Sequence, residues 1–304
     1  MSKYWYLTAG KMKVVSLGLL ILSVLAVNAH AQSILGNAST FAVLGGSEVT
    51  NVSPSVITTG NVGVAPATSI TGFNSISGLA VSDPQVLAGT VQSDTAGAIA
   101  AQGSLTTALT DLGALSSVAT TVLNGNLTGL VLAPGVYSVA AGTTNLAGTL
   151  TLAGTGSASD TWVFLMPSTL ITSTGSTVVT TDSVGVGNVF WDVGSSATIQ
   201  SGTTFYGNIL ASTSISMVTG ATDSCGSALA STGAVTLEMN TISTGCNLGV
   251  TATTTSGGVT TVSVPTPGGT ITATVPEGGS TLLYLCSFLL PLGAMRAFRF
   301  RRSI

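Results

Sequence analysis

The chain has 304 residues, only 6% of them charged, with 7 Lys+Arg against 10 Asp+Glu and a single histidine. The basic residues sit at the two ends alone: Lys3, Lys11 and Lys13 at one, Arg296, Arg299, Arg301 and Arg302 at the other. A body without Lys, Arg or His excludes phosphate-contacting nucleic-acid binding, a Ser-His-Asp or Cys-His nucleophile, a His-rich zinc site and a Walker-type phosphate cradle.

The composition is not that of a disordered chain, because 45% of residues are apolar and the net charge is only -3. Residues 1–31 read as a secretory signal peptide. Lys11 and Lys13 give the positive start, residues 14–27 the apolar run, and Ala29-His30-Ala31 the A-x-A cleavage site. The lone histidine, His30, falls inside this leader. An N-terminal membrane anchor is the alternative.

Residues 83–116 predict one long helix. Asp83 is the expected N-cap and Pro84 the first helical residue. Leu87, Val91, Ala98, Ala101, Leu105, Ala108 and Leu112 form a stripe at three-to-four spacing. Gly89, Gly97 and Gly103 oppose it, each by about 1 kcal/mol.

From residue 131 onward, short strands of alternating apolar and Ser/Thr residues are expected at 135–139, 148–152, 161–165, 177–180, 188–191, 204–210 and 234–237. Thr-Gly and Ser-Gly pairs recur between them at irregular intervals. That pattern predicts a solenoid whose coils each add short strands, with a β-sandwich as the competing architecture.

Cys225 and Cys246 stand 21 residues apart in the body. In an exported protein they are expected to pair, stabilising by about 3 kcal/mol in the chain-entropy model; two buried thiols are the alternative. Residues 247–274 are Thr/Gly/Val-rich and read as a spacer.

The C-terminus, 275–304, repeats a three-part plan: Val275-Pro276-Glu277-Gly278-Gly279-Ser280, an apolar stretch over 281–295 that contains Cys286, then the arginine cluster. The stretch is short for a membrane span, which takes roughly 20 residues. The arginines would stay on the cytoplasmic side. This layout resembles the PEP-CTERM type of sorting tail, although Gly278 stands where that tail usually has proline. The resemblance implies export and sorting machinery as partners, with cleavage near Pro276-Glu277. A plain membrane anchor is the alternative.

The body resembles the ice-binding-protein family. The matching runs are Leu35-Gly36-Asn37-Ala38-Ser39-Thr40-Phe41-Ala42-Val43-Leu44, Thr59-Gly60-Asn61-Val62-Gly63-Val64 and Leu132-Ala133-Pro134-Gly135-Val136-Tyr137. They continue with Val189-Phe190-Trp191-Asp192-Val193-Gly194, Thr203-Thr204-Phe205-Tyr206-Gly207-Asn208-Ile209-Leu210 and Ala230-Ser231-Thr232-Gly233-Ala234-Val235-Thr236-Leu237. The resemblance covers residues 33–246. It implies a mainly β fold, a right-handed β-helix of triangular section with one long α-helix packed alongside, and no cofactor.

In that family ice is bound by a flat β-face, often bearing T-A/G-x-T/N elements. Thr174-Gly175-Ser176-Thr177, Ser201-Gly202-Thr203-Thr204 and Thr219-Gly220-Ala221-Thr222 fit this pattern, which makes Thr174, Thr177, Ser201, Thr204, Thr219 and Thr222 the expected ice contacts. Thr71-Gly72-Phe73-Asn74 fits as well, or is only a turn. A neutral array of hydroxyls and methyls suits a lattice of neutral donors and acceptors, whereas charges orient water competitively.

Three functions are therefore weighed. The first is an extracellular ice-binding protein. The second is a structural surface protein, binding exopolysaccharide. The third is a polysaccharide-cleaving enzyme built on carboxylates such as Asp160, Asp182 and Asp192. The missing cations disfavour the third.

Overall fold

A computed structural model describes residues 32–119, 121–157, 159–181 and 188–245, and the backbone of 251–255, 259–266 and 269–276. The signal-peptide reading and residues 277–304 of the tail lie outside the described residues.

Three sheets form the faces of a β-helix, one of ten strands and two of seven, parallel except for the antiparallel edge strand Ala80–Val81 of the ten-stranded sheet. Each coil lays one short strand on each face in turn. Phe41–Gly45, Glu48–Ser53 and Val56–Thr59 make one coil; Val189–Val193, Ala197–Ile199 and Thr204–Phe205 make another. The ten-stranded face is called face 1, the face holding Ala197–Ile199 face 2, and the face holding Thr204–Phe205 face 3.

The coils differ in length, which is why the sequence shows no fixed period. On face 1, Gly135 pairs with Trp162 and Trp162 with Val189, 27 residues apart each time. Phe190 then pairs with Asn208, 18 apart, and Ile209 with Ala228, 19 apart.

The chain does not wind in one pass. Phe41–Gly45 lies between Asn61–Val64 on one side and Ala228–Ala230 on the other. The N-terminal coils therefore stack on the last coil. The long helix carries the chain along the outside of face 1, back to the opposite end near Thr121–Leu123.

That helix runs Ala96–Ala114, shorter than the expected 83–116. Thr95 is its N-cap, with Oγ1 accepting from the Ala98 N–H at 3.1 Å. The first half of the expected helix is something else. Asp83 caps a turn by accepting from the Gln85 and Asn74 N–H groups, both at 2.7 Å. Val91–Ser93 is a strand paired with face 1, and Asp94 takes φ 49°, which ends it. Strand pairing for Val91 outweighs a helical pattern already weakened by Gly89.

The expected stripe from Ala98 to Leu112 is the buried side of the helix. It packs on Leu44, Val163, Leu165, Phe190, Leu210 and Leu229 of face 1. Face 1 strands are thus covered on both sides, and Trp162–Met166 is buried at all five positions. Their inward residues fill the lumen. Tyr137, Phe164 and Trp191 pair in register, with ring centroids 5.6 Å and 4.2 Å apart, and Phe205 tilts against Trp191 at 5.0 Å.

Two further expectations change. The single strand over 204–210 is two strands, Thr204–Phe205 and Asn208–Ala211, because Gly207 turns the corner at φ 108°. Residues 247–274, expected as a spacer, contain the strands Thr251–Thr255 and Val259–Thr266, and Gly269–Pro276 runs on from them. These pair antiparallel with one another and with Gln32–Ser33. Alternating Thr and Val favour strands over a flexible linker. Among the described residues, no helix is long and apolar enough to cross a membrane.

Candidate functional site

The Thr-Gly pairs are the corners between faces 2 and 3. Ser173-Thr174-Gly175-Ser176 closes with the Ser176 N–H donating to Ser173 O at 3.1 Å. Gln200–Thr203 and Val218–Ala221 close the same way, at 3.1 and 3.0 Å. The third residue of each turn is a glycine at positive φ: Gly175 at 71°, Gly202 at 64° and Gly220 at 71°. That is the type II arrangement, which needs glycine there. The fourth residue points inward and the fifth starts the face 3 strand pointing outward. Corner geometry and strand alternation together therefore produce the T-G-x-T spacing.

Stacking the coils aligns these residues into rows. On face 3, Thr149 pairs with Thr177, Thr177 with Thr204, Thr204 with Thr222, and Thr222 with Thr241. The row then meets Val56. Five threonines at about 4.8 Å spacing span about 19 Å. Thr149, Thr204 and Thr241 are exposed, Thr177 and Thr222 half-buried. The alternate residues Leu150, Val178, Phe205, Asp223 and Ile242 face the lumen and are buried.

A second row runs along the corner. The Gly175 N–H donates to Ser201 O at 2.9 Å, Gly202 to Thr219 O at 3.0 Å, Gly220 to Glu238 O at 3.1 Å, and Met239 to Ser53 O at 3.2 Å. The corner row is therefore Thr174, Ser201, Thr219, Glu238, Ser53. The structure brings all six expected residues together, three in each row. Thr71 is separate: it pairs with Thr50 on face 2, and its Gly72 makes a turn at φ 80°.

Sequence reasoning missed Thr149 and Thr241. Thr149 follows Ala147-Gly148, a corner two residues shorter, and Thr241 follows Glu238-Met239-Asn240 in place of Thr-Gly-x. Only the register reveals them. It also missed a hydroxyl row on face 2, where Thr198, Ser216, Thr236, Thr50 and Thr71 pair in order. Thr198, Ser216 and Thr71 stand in three-residue strands too short to expect from sequence.

No acid occupies an outward strand position of face 3 among the described residues. Asp223 is inward, and burial pushes its carboxyl up to about 7, opposed by hydrogen bonds from the Cys225 and Gly207 backbone. Asp192 lies beneath the helix in a cavity of ≈ 360 Å³ lined by Leu109, Gly113, Ser138, Leu165 and Ser212, and burial raises it to about 7 as well. Asp160 is fully buried and accepts from the Thr155 N–H and hydroxyl. Of the carboxylates considered for catalysis, Asp160 is inside and Asp192 is under the helix, and Asp182 lies outside the described residues. Cys225 is buried and disulfide-bonded; its expected partner Cys246 lies outside the described residues.

Residues 43–243 match the family model described as ice-binding-like. The chain is 44% identical over 220 residues to an ice-binding protein of Nostoc sp. (strain HG1), covering 70% of this chain and 75% of that one. It is 33% identical over 219 residues to an ice-binding protein of Flavobacterium frigoris, covering 68% and 75%. Among solved structures it is similar to an ice-binding protein from an Antarctic biological consortium, at 36% identity and TM-score 0.59, covering 70% of this chain and 91% of that one. A second is an ice-binding protein from an Arctic yeast, at 28% identity and TM-score 0.62, covering 70% and 94%. The β-helix, its flanking helix and these matches over two thirds of the sequence agree, and the chain belongs to the ice-binding-like family.

Proposed function

We propose that this protein binds ice outside the cell, through the threonine row of face 3 and Thr174, Ser201 and Thr219 of the corner beside it, and that it is not an enzyme. The single observation that carries the reading is the in-register row Thr149, Thr177, Thr204, Thr222, Thr241 on a parallel sheet without outward charge. Each threonine presents one hydroxyl, which both donates and accepts, and one methyl. Among the described residues, none of the five hydroxyls bonds a protein group, so each is open to water. Their χ1 stiffness and the shared sheet fix where those waters sit.

Face 2 is a second candidate surface, favoured by its own row of Thr198, Ser216, Thr236, Thr50 and Thr71. Glu48 lies on that face, opposite Ala234, which makes it the poorer neutral template.

Export by the 1–31 signal peptide and retention by the PEP-CTERM-like tail belong to the same reading, with the sorting machinery as partner. So does a Cys225–Cys246 disulfide closing the last coil. A structural role binding exopolysaccharide is the competing function.

Thermal hysteresis and ice-recrystallisation assays on the exported protein test the proposal. Shaped crystals and a freezing gap are expected. Unaltered ice growth at high protein concentration, together with polysaccharide pull-down, would replace ice binding by the structural role.

A further inference from the structure

The corner row contains one residue out of keeping with the rest. Thr174, Ser201, Thr219 and Ser53 carry hydroxyls, and between Thr219 and Ser53 stands Glu238. The next residue, Met239, holds the position that glycine fills in the preceding three corners. It keeps the same left-handed backbone, at φ 52°, and is 59% exposed. A non-glycine residue is strained there, so the backbone shape is kept although the side chains have changed.

Asn240 makes that possible. Its Oδ1 accepts from the Glu238 N–H at 2.7 Å, and its Nδ2 donates to Val218 O and Ala221 O, both at 3.0 Å. Those two carbonyls belong to the ends of the previous corner turn. The amide side chain thus clamps the Glu238 corner to the Thr219 corner, and the row stays straight across the change. Thr241, next along the chain, still takes its place in the face 3 row.

We infer that Glu238 is a specificity-determining residue that weakens ice contact and ends the hydroxyl run of the corner row at Thr219. This rests on the reading of face 3 and its corner as the ice contact. The physical reason is donor balance. A carboxylate only accepts hydrogen bonds, so it turns the hydrogens of neighbouring waters toward itself. A lattice needs water in both orientations, and the hydroxyls on either side of Glu238 allow both. Removing the charge on this unchanged backbone joins Thr174, Ser201, Thr219 and Ser53 into one unbroken neutral row.

The test is thermal hysteresis of the exported protein at matched concentration, for wild type, E238T, E238Q, E238D and T204Y, each with a thermal midpoint. E238T is expected to raise hysteresis above wild type, and E238D, which keeps the charge, to leave it at the wild-type level. E238Q carries the test if E238T lowers the midpoint, and it too should rise. Hysteresis that stays level or falls in the folded neutral variants, while T204Y abolishes it, overturns the role of Glu238 and leaves the face intact. Undiminished hysteresis in T204Y overturns the face itself.

Discussion

Asp223 occupies an inward row between Phe205 and Ile242, and that position has a measurable cost. Its carboxyl rises from 3.8 to about 7 because burial disfavours the charge. In the unfolded chain it ionises near its ordinary value. Below about pH 4 both states are protonated, and Asp223 adds no pH dependence. Between about 4 and 7 the unfolded chain releases its proton first, so stability falls as pH rises. Above about 7 both states are ionised and the loss is complete. The gap corresponds to about 4 kcal/mol. Asp223→Asn keeps an oxygen to accept from Cys225 and Gly207 and removes the ionisation. Chemical denaturation of the protein at pH 4, 6 and 8 should show wild-type stability declining with pH. Asp223→Asn should decline less and exceed wild type at pH 8 by up to about 4 kcal/mol. Asp192 shifts in the same direction, so some decline persists in the variant. A wild-type stability that rises between pH 4 and 7, or an Asp223→Asn profile parallel to wild type, would refute the reasoning.

Other changes have expected sizes. Phe164→Ala removes a fully buried ring stacked between Tyr137 and Trp191, and should cost about 4 kcal/mol in denaturant unfolding. Thr95→Ala removes the helix cap and should cost about 1 kcal/mol, read as a lower thermal midpoint. Asn240→Ala unties two corners at once and leaves buried carbonyls without their amide; a loss of about 2–3 kcal/mol in unfolding is expected.

Much of the fold was legible because it is written in local chemistry. The stripe Ala98 to Leu112 is the buried helix side, and the Gly135–Val139 and Thr177–Thr180 strands match their expected bounds. The helix start was misplaced because Asp83-Pro84 is a good cap sequence that here serves a turn. Nothing local says that Val91 has a strand partner 29 residues earlier in Val62. The stacking of Phe41–Gly45 on Ala228–Ala230 is equally silent in sequence, being a contact between the two ends of the body. At the candidate site, the glycine-bearing corners were legible because type II turns demand that residue. Thr149 and Thr241 were not, since their corners lack the T-G-x-T spacing and they join the row only through register. Glu238 was invisible for the same reason: a glutamate in Thr236-Leu237-Glu238-Met239 looks like any exposed strand end until the hydrogen bonds place it beside Thr219.

The central claim is that the neutral threonine row of face 3 meets ice. The most direct measurement is thermal hysteresis of T204Y, the middle residue of the row, beside T236Y, at the equivalent place on face 2. Tyrosine breaks the flatness of whichever row it enters while leaving the buried residues unchanged. Near-complete loss in T204Y, with T236Y at the wild-type level and both thermal midpoints unchanged, is the predicted result. Full hysteresis in T204Y with loss in T236Y would contradict the account and move the ice contact to face 2.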